Sequence, residues 1–281
     1  MNSQKQHQRA FSFEFFPPKT PVGEEKLRAT WQQLATLKPK FFSVTFGAGG
    51  STRDRTLGTV LEIQNSGSEA APHLSCVGST RADVAATLDL YQSRGVKHIV
   101  ALRGDLPSGA ASVGELRYAN ELVSFIREHT GSHFFIEVAC YPEYHPQARG
   151  AQDDLQNFRR KVEAGADSAL TQYFFNADSY FRFIDDCERL GIDIPIVPGI
   201  MPIGNFSQLA RFSDACGAEI PRWLRLKMQS YGDDAASIRA LGLDVVTGLC
   251  ERLLAQGAPG LHFYTMNQAE LSTEIWRRLG L

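Results

Sequence analysis

Short apolar runs rich in β-branched and aromatic residues recur along the chain, at about 11–16, 41–46, 71–77, 97–102, 134–140, 167–173, 194–200 and 260–265. Between them, segments such as "EEKLRATWQQLATL", "RADVAATLDLYQSRG", "GELRYANELVSFIREH" and "SYFRFIDDCERLG" bring an apolar residue back every three or four positions, often with glycine after the last turn. Strand followed by helix, repeated, predicts parallel strands joined by crossover helices. Eight such units in 281 residues suit an α/β protein of the (β/α)8 TIM barrel type better than an open sheet. The stretch 205–258 is long for one unit and predicts two or three helices. No linker, low-complexity tract or close internal repeat interrupts the pattern, so the expectation is a single domain over 1–281.

Composition narrows the class. At 43% hydrophobic the chain can bury a large core, and a net charge of −2 from 29 basic and 31 acidic residues argues against nucleic acid or an anionic membrane as the main partner. A small molecule is the expected ligand. Five cysteines, Cys76, Cys140, Cys187, Cys216 and Cys250, are scattered without a C-x-x-C pair and read as reduced, cytoplasmic thiols. The N-terminal "MNSQKQHQRA" has no apolar leader, and no run approaches the roughly 18 apolar residues of a membrane span.

In a barrel of this type chemistry collects at the C-terminal ends of the strands. Those positions are polar here: Glu14, Thr45 before "GAGG", His73, "RGD" from Arg103 to Asp105, Tyr141 with His145 beyond it, Gln172, "PGIMPIGNF", and Thr265 with Asn267. Singly, each has a structural alternative. Glu14 suits an ion pair with a lysine or arginine, and His73 a satisfied core histidine. A polar group at nearly every strand end, above apolar strand bodies, favours a functional mouth. In "FSFEFFPPKT", strand alternation puts Phe11, Phe13 and Phe15 on one face and Ser12, Glu14 and Phe16 on the other, with Pro17 ending the strand. A carboxyl among aromatics is poorly hydrated, which raises its pKa and suits a general acid near neutral pH.

"GAGGSTRDR" fails the G-x-G-x-x-G pattern at Thr52, and no P-loop lysine follows, so its glycines suit either a planar ligand approaching the backbone or a plain turn. Arg103 suits a phosphate and Asp105 a cationic or donor-bearing ligand. Asp154, Asn157 and Lys161 share one helical face, ordinarily a solvated flank. The histidines and cysteines lack metal-ligand spacing, so no metal is expected, and there is no G-x-S-x-G elbow.

Eight collinear motifs, "FSFEFFPPKT", "FFSVTFGAGGSTRDRT", "APHLSC", "HIVALRGDLP", "ACYPEYHPQA", "ADSALTQYFF", "VPGIMPIGNF" and "HFYTMN", resemble those of the bacterial 5,10-methylenetetrahydrofolate reductase family across nearly the whole chain. The resemblance implies a cytoplasmic, homo-oligomeric flavoenzyme of one-carbon metabolism and methionine biosynthesis. NADH or NADPH would reduce FAD and leave, and flavin N5 would pass hydride to the folate, yielding 5-methyltetrahydrofolate. It implies that Glu14 is the general acid that opens the five-membered ring toward an iminium ion, and that Asp105 lies near flavin and folate. Gln172, Gln208 and Phe212 would contact substrate. Positions matching the FAD site are Thr45, His73, Arg103, Gly104, Asp105, Tyr118, Ala119, Tyr141, His145, Ala148, Asp154, Asn157, Arg160 and Lys161, and Thr45 with Ala48 matches the nicotinamide nucleotide site.

One position departs from the family pattern. Where the resemblance leads one to expect an arginine meeting the folate's glutamate tail, this chain has Gln268. The chain's length leaves no room for the regulatory domain of eukaryotic relatives, so none is expected. Three competing readings differ in chemistry: an FAD barrel that oxidises another secondary amine, a flavin or folate binder without turnover, and an aldolase-like barrel. The last would want a lysine in a strand body, and only Lys97, at a strand start, comes near.

Overall fold

The computed structural model describes residues 1–47, 52–105 and 114–281. In chain order the elements are α1 (Asn2–Lys5), β1 (Ala10–Phe15), α2 (Pro21–Ala35), β2 (Phe41–Val44), α3 (Arg53–Asn65), β3 (Ala70–Ser75), α4 (Arg81–Ser93), β4 (His98–Leu102), α5 (Ala119–Thr130) and β5 (Phe135–Cys140). There follow α6 (Ala151–Glu163), β6 (Ser168–Thr171), α7 (Ala177–Arg189), β7 (Ile196–Val197), β8 (Gly199–Ile200), α8 (Phe206–Cys216), α9 (Arg222–Ser230), α10 (Ala235–Gln256), β9 (Gly260–Tyr264) and α11 (Glu270–Arg278). The strands run in the order β7-β6-β5-β4-β3-β2-β1-β9-β8. This is the strand–helix alternation of a (β/α)8 barrel. Among the described residues nine strands stand where eight runs are predicted because Pro198, which has no N–H to give a ladder, splits the seventh into β7 and β8. The predicted 205–258 segment resolves into α8, α9 and α10.

The chain divides into two compact units, one of Ser12–Ala139 with Asn157–Ala169, the other of Met1–Phe11, Cys140–Gln156 and Leu170–Leu281. In the first, β1 to β4 pair in parallel and in sequence, with Glu14 level with Ser43, Val44 with Pro72, and His73 with Val100. Phe13 and Phe15 both stack on Phe42, with ring centroids 6.0 and 5.4 Å away, which puts them on one face as the alternation predicts. Both are fully buried, each burial contributing about 1.5–3 kcal/mol. Phe16 lies beyond the end of β1 and is 43% exposed. Helix starts are set locally: Thr20 accepts from Gly23 N with Pro21 in the first turn, and Thr80 with Asp83 forms a capping box. Near the strand starts, buried His98 lies within reach of Glu69 (3.2 Å) and Glu137 (3.3 Å), its ring 4.1 Å from that of Phe41.

In the second unit β8 and β9 pair in parallel, Gly199 opposite His262. A Cβ at Gly199 would overlap the Thr171 carbonyl, so glycine is what lets the backbone come close; its N–H donates to Thr171 Oγ1 at 2.8 Å. The short helix α1, which has too few residues to show a period, is held by buried Gln4, whose amide donates to the Ile194 carbonyl (3.1 Å) and accepts from Ile196 N (2.8 Å). Among the described residues no helix is long and apolar enough to cross a membrane.

Candidate active site

In the first unit Glu14, at the end of β1, is flanked by His73 of β3 and Ser43 of β2. Its carboxyl, 17% exposed, has Oε2 3.2 Å from Nε2 of His73, which is 8% exposed. That is ion-pair distance, but the imidazole nitrogen is not aligned for a hydrogen bond with any described residue. Ser43 Oγ, level with Glu14 on the neighbouring strand, donates to the same oxygen at 3.4 Å. A histidine thus stands at ion-pair distance from Glu14, where the structural alternative expects a lysine or arginine. Ser43 escaped the sequence reading, since a serine inside "FFSV" gives no signal until strand register sets it opposite Glu14.

Just past β2, Thr45 N donates to the Phe15 carbonyl (2.8 Å), and the Thr45 carbonyl accepts from Thr56 Oγ1 (2.9 Å). Thr52 Oγ1 then accepts from Gly47 N at 2.7 Å, which ties the start of the glycine loop to α3. Ala48 lies outside the described residues. Past β4, Arg103 is half-buried and folds Nε onto the Gly104 carbonyl (3.1 Å), while Asp105 is exposed. Gly104 has φ +82°, and a Cβ there would stand 2.8 Å from that of Ser75. Beneath this loop the buried Cys76 thiol lies 3.7 Å from the Arg103 carbonyl and 3.8 Å from that of Tyr118. Burial pushes its pKa up to about 11. Tyr118 is the exposed N-cap residue of α5, and Ala119 begins that helix, five residues later than the motif "GELRYANELVSFIREH" begins.

On α6, Lys161 Nζ donates to the Ala139 carbonyl (2.6 Å) and lies 6.0 Å from the Phe158 ring centre, and Arg160 donates to Asn157 Oδ1 (2.6 Å). FAD, the cofactor that the motif resemblance implies, has a hydroxyl-rich chain and a pyrophosphate. A buried imidazole nitrogen without an aligned partner, a loop glycine with no space for a side chain, and the cations Arg103, Arg160 and Lys161 are donors of the kind such a ligand needs. The residues fit the group.

In the second unit, Tyr141 and His145 meet edge to face with centroids 4.7 Å apart. Asp154 accepts from His145 N (3.0 Å), and Ala148 N donates to the His145 carbonyl (2.9 Å), which fixes this loop against the start of α6. Gln172 Oε1 accepts from Tyr173 N at 3.0 Å, turning its amide back on the strand end. Nearby, burial raises the pKa of Glu143, which accepts from Glu219 N at 2.8 Å.

A separate cavity of about 290 Å³ brings together Gln208, Phe212, Thr265 and Gln268. At Met266, which lines it, the backbone turns sharply: Met266 and Asn267 take left-handed φ values of 54° and 57°. For residues with a Cβ this costs on the order of 1–3 kcal/mol each. The turn is held by Thr265, whose Oγ1 accepts from Asn267 N (3.1 Å) and whose carbonyl accepts from Gln268 N (3.0 Å). Arg239, from α10, also lines this cavity and was not among the predicted site residues.

The family model for methylenetetrahydrofolate reductase matches residues 1–280 of this sequence. The chain belongs to the methylenetetrahydrofolate reductase family of oxidoreductases. It is 44% identical over 271 residues to 5,10-methylenetetrahydrofolate reductase of Salmonella typhimurium, covering 96% of this chain and 90% of that one. The Escherichia coli enzyme of the same name matches equally, at 44% over 271 residues with the same coverage. Methylenetetrahydrofolate reductase (NADH) 1 of Arabidopsis thaliana is 38% identical over 291 residues, covering 99% of this chain and 49% of that protein. Among solved structures, a Clostridium thermocellum protein described as binding two copies of 5-methyl-5,6,7,8-tetrahydrofolic acid aligns with TM-score 0.67 and 15% identity, covering 98% of this chain and 96% of that one. Oxaloacetate acetylhydrolase aligns at TM-score 0.51 and 12% identity, over 95% and 78% of the two chains. These two likenesses establish the barrel fold.

Proposed function

We propose that this chain reduces 5,10-methylenetetrahydrofolate to 5-methyltetrahydrofolate at the expense of NADH or NADPH, with FAD as its cofactor. The observation that carries the reading is the half-buried Glu14 carboxyl at the end of β1, flanked by His73 and Ser43, in a chain of this family. FAD, when bound, supplies the carrier that takes hydride from the nicotinamide and later gives it up.

Thr45, His73, Arg103, Gly104, Tyr118, Ala119, Asn157, Arg160 and Lys161 are the holders we assign to FAD in the first unit, and Tyr141, His145, Ala148 and Asp154 those in the second. Glu14 delivers a proton to the ring nitrogen that departs when the five-membered ring opens; the bond from that nitrogen to the methylene carbon breaks and leaves a cationic iminium. Ser43 and His73 hold the carboxyl in one position for that transfer. Asp105 bears a negative charge past β4 that favours the cation. Gln172, Gln208 and Phe212 orient the folate. Five free cysteines, four of them buried, are in keeping with a reducing cytoplasm, and we assign the enzyme there as a homo-oligomer without metal.

The test is an anaerobic visible spectrum of the purified protein reconstituted with FAD, titrated with NADH and then with methylenetetrahydrofolate. The flavin band is expected to bleach with NADH and return with folate. A band that bleaches but is not restored by folate overturns the substrate assignment, and a protein that takes up no FAD overturns the cofactor.

A further inference from the structure

The cavity that holds Gln208, Phe212 and Gln268 has a chemistry that these residues alone do not explain. At about 290 Å³ it lies near the lower end of ligand pockets, which run to roughly 300–1,000 Å³, so it suits part of a ligand and not a whole dinucleotide. Its walls are apolar side chains, amides and a hydroxyl, and Arg239 is the single charged residue among the described residues lining it.

Other arginines on α10 and α11 have acidic partners, Arg252 with Asp178 and Arg278 with both Asp244 and Glu274, whereas Arg182, Arg211 and Arg222 of this unit share with Arg239 the lack of one among the described residues but do not line the cavity. Among the described residues no carboxylate lies within ion-pair distance of Arg239. It stands exposed in the second turn of α10, beyond the reach of the Asp234 cap, which is used by Ser237. A guanidinium without an acidic partner among the described residues, beside an exposed aromatic ring and the carboxamides of Asn205, Gln208 and Gln268, is arranged to take a carboxylate joined to an aromatic amide.

We propose that Arg239 binds the carboxylate tail of the folate in this chain, taking over the charge that position 268 lacks. The inference rests on the functional reading above. Phe212 is placed to pack on the benzoyl ring, Gln208 and Gln268 bond the amide, and the guanidinium takes the carboxylates beyond it.

The experiment measures steady-state kinetics of FAD-loaded wild type, Arg239→Ala, Arg239→Lys and the double variant Arg239→Gln with Gln268→Arg, using methylenetetrahydrofolate and an analogue lacking the glutamate. Loss of a charge-assisted pair should raise KM for the full substrate about 10- to 100-fold in Arg239→Ala and far less in Arg239→Lys, with kcat within about threefold. The double variant should regain most of the loss, and the tail-less analogue should bind all four proteins alike. If wild type turns over folate while Arg239→Ala keeps its KM, or weakens the tail-less analogue equally, the assignment of Arg239 falls by itself. If wild type turns over no folate, the assignment falls together with the reading it rests on.

Discussion

Replacing Glu14 by glutamine removes a proton donor while leaving nearly everything else in place. The amide has the volume of the carboxyl, and its oxygen can still accept from Ser43 Oγ, now 3.4 Å from Oε2. What changes in the ground state is the bond from Ser43, now made to an amide oxygen in place of a carboxylate, and the charge beside His73 at 3.2 Å, for a stability cost of about 1 kcal/mol. What is lost in the transition state is general acid catalysis, about 10²- to 10⁴-fold, or roughly 3–5 kcal/mol of barrier. The loss should fall on one half-reaction only, because flavin reduction by NADH involves no ring opening. Anaerobic stopped-flow spectroscopy reads the halves separately: bleaching by NADH should keep its rate, and reoxidation by methylenetetrahydrofolate should slow by the full factor. Urea unfolding gives the stability term on the same protein. If Glu14 were only the structural partner of His73, removing one member of so buried a pair would cost about 3–5 kcal/mol and slow both halves together. That second pattern, or equal slowing with stability intact, refutes the general-acid assignment.

Three other outcomes are expected. Gly104→Ala forces a Cβ to within 2.8 Å of that of Ser75 at φ +82°, so urea denaturation should show a loss of about 1–3 kcal/mol, and the displaced loop should retain less FAD on gel filtration. The cluster at the strand starts should make stability pH-dependent: burial lowers the pKa of His98, but the hydrogen bonds its ring donates to Glu137 and Glu69 outweigh it and raise the net value above 6.5, while accepting from His98 lowers Glu69 below 4.5. A raised histidine stabilises below 6.5 and loses that contribution as pH climbs through its folded value; a lowered carboxylate stabilises above 4.5 and loses it on acidification. The unfolding free energy of wild type minus that of His98→Gln should therefore peak between those two values and shrink as pH climbs through the folded value of His98, and a flat difference would refute the coupling. Finally, burial holds the Cys76 thiol near pKa 11, so at pH 8 a thiol reagent should modify half-buried Cys216 first in the native protein and leave Cys76 to be labelled on unfolding, as peptide mapping would show.

The strands were legible because parallel strands covered on both faces are short, nearly continuous apolar runs, and their length with their β-branched and aromatic content separates them from buried helix segments. Pro198 stood in plain view in "PIVPGI", and dividing the seventh run there follows from its missing N–H, a step that periodicity alone does not take. Helix α1 was illegible for another reason: four residues show no period, and what orders them is the tertiary bond of Gln4 to the backbone at Ile194 and Ile196. Glu14 announced itself because a charge among phenylalanines violates the pattern around it, whereas Ser43 violates nothing and enters only through strand register. Arg239 marks the limit of motif transfer. On an amphipathic helix an exposed arginine is the expected residue, so neither pattern nor motif can single it out. It becomes visible only through its company: an unpaired charge, a cavity wall shared with Phe212 and Gln208, and a neutral side chain at 268. A carboxylate can take its counter-charge from any element that reaches it, so the motif around position 268 shows a neutral glutamine there while Arg239, on α10 and in no motif, comes to light only as a wall of the same cavity.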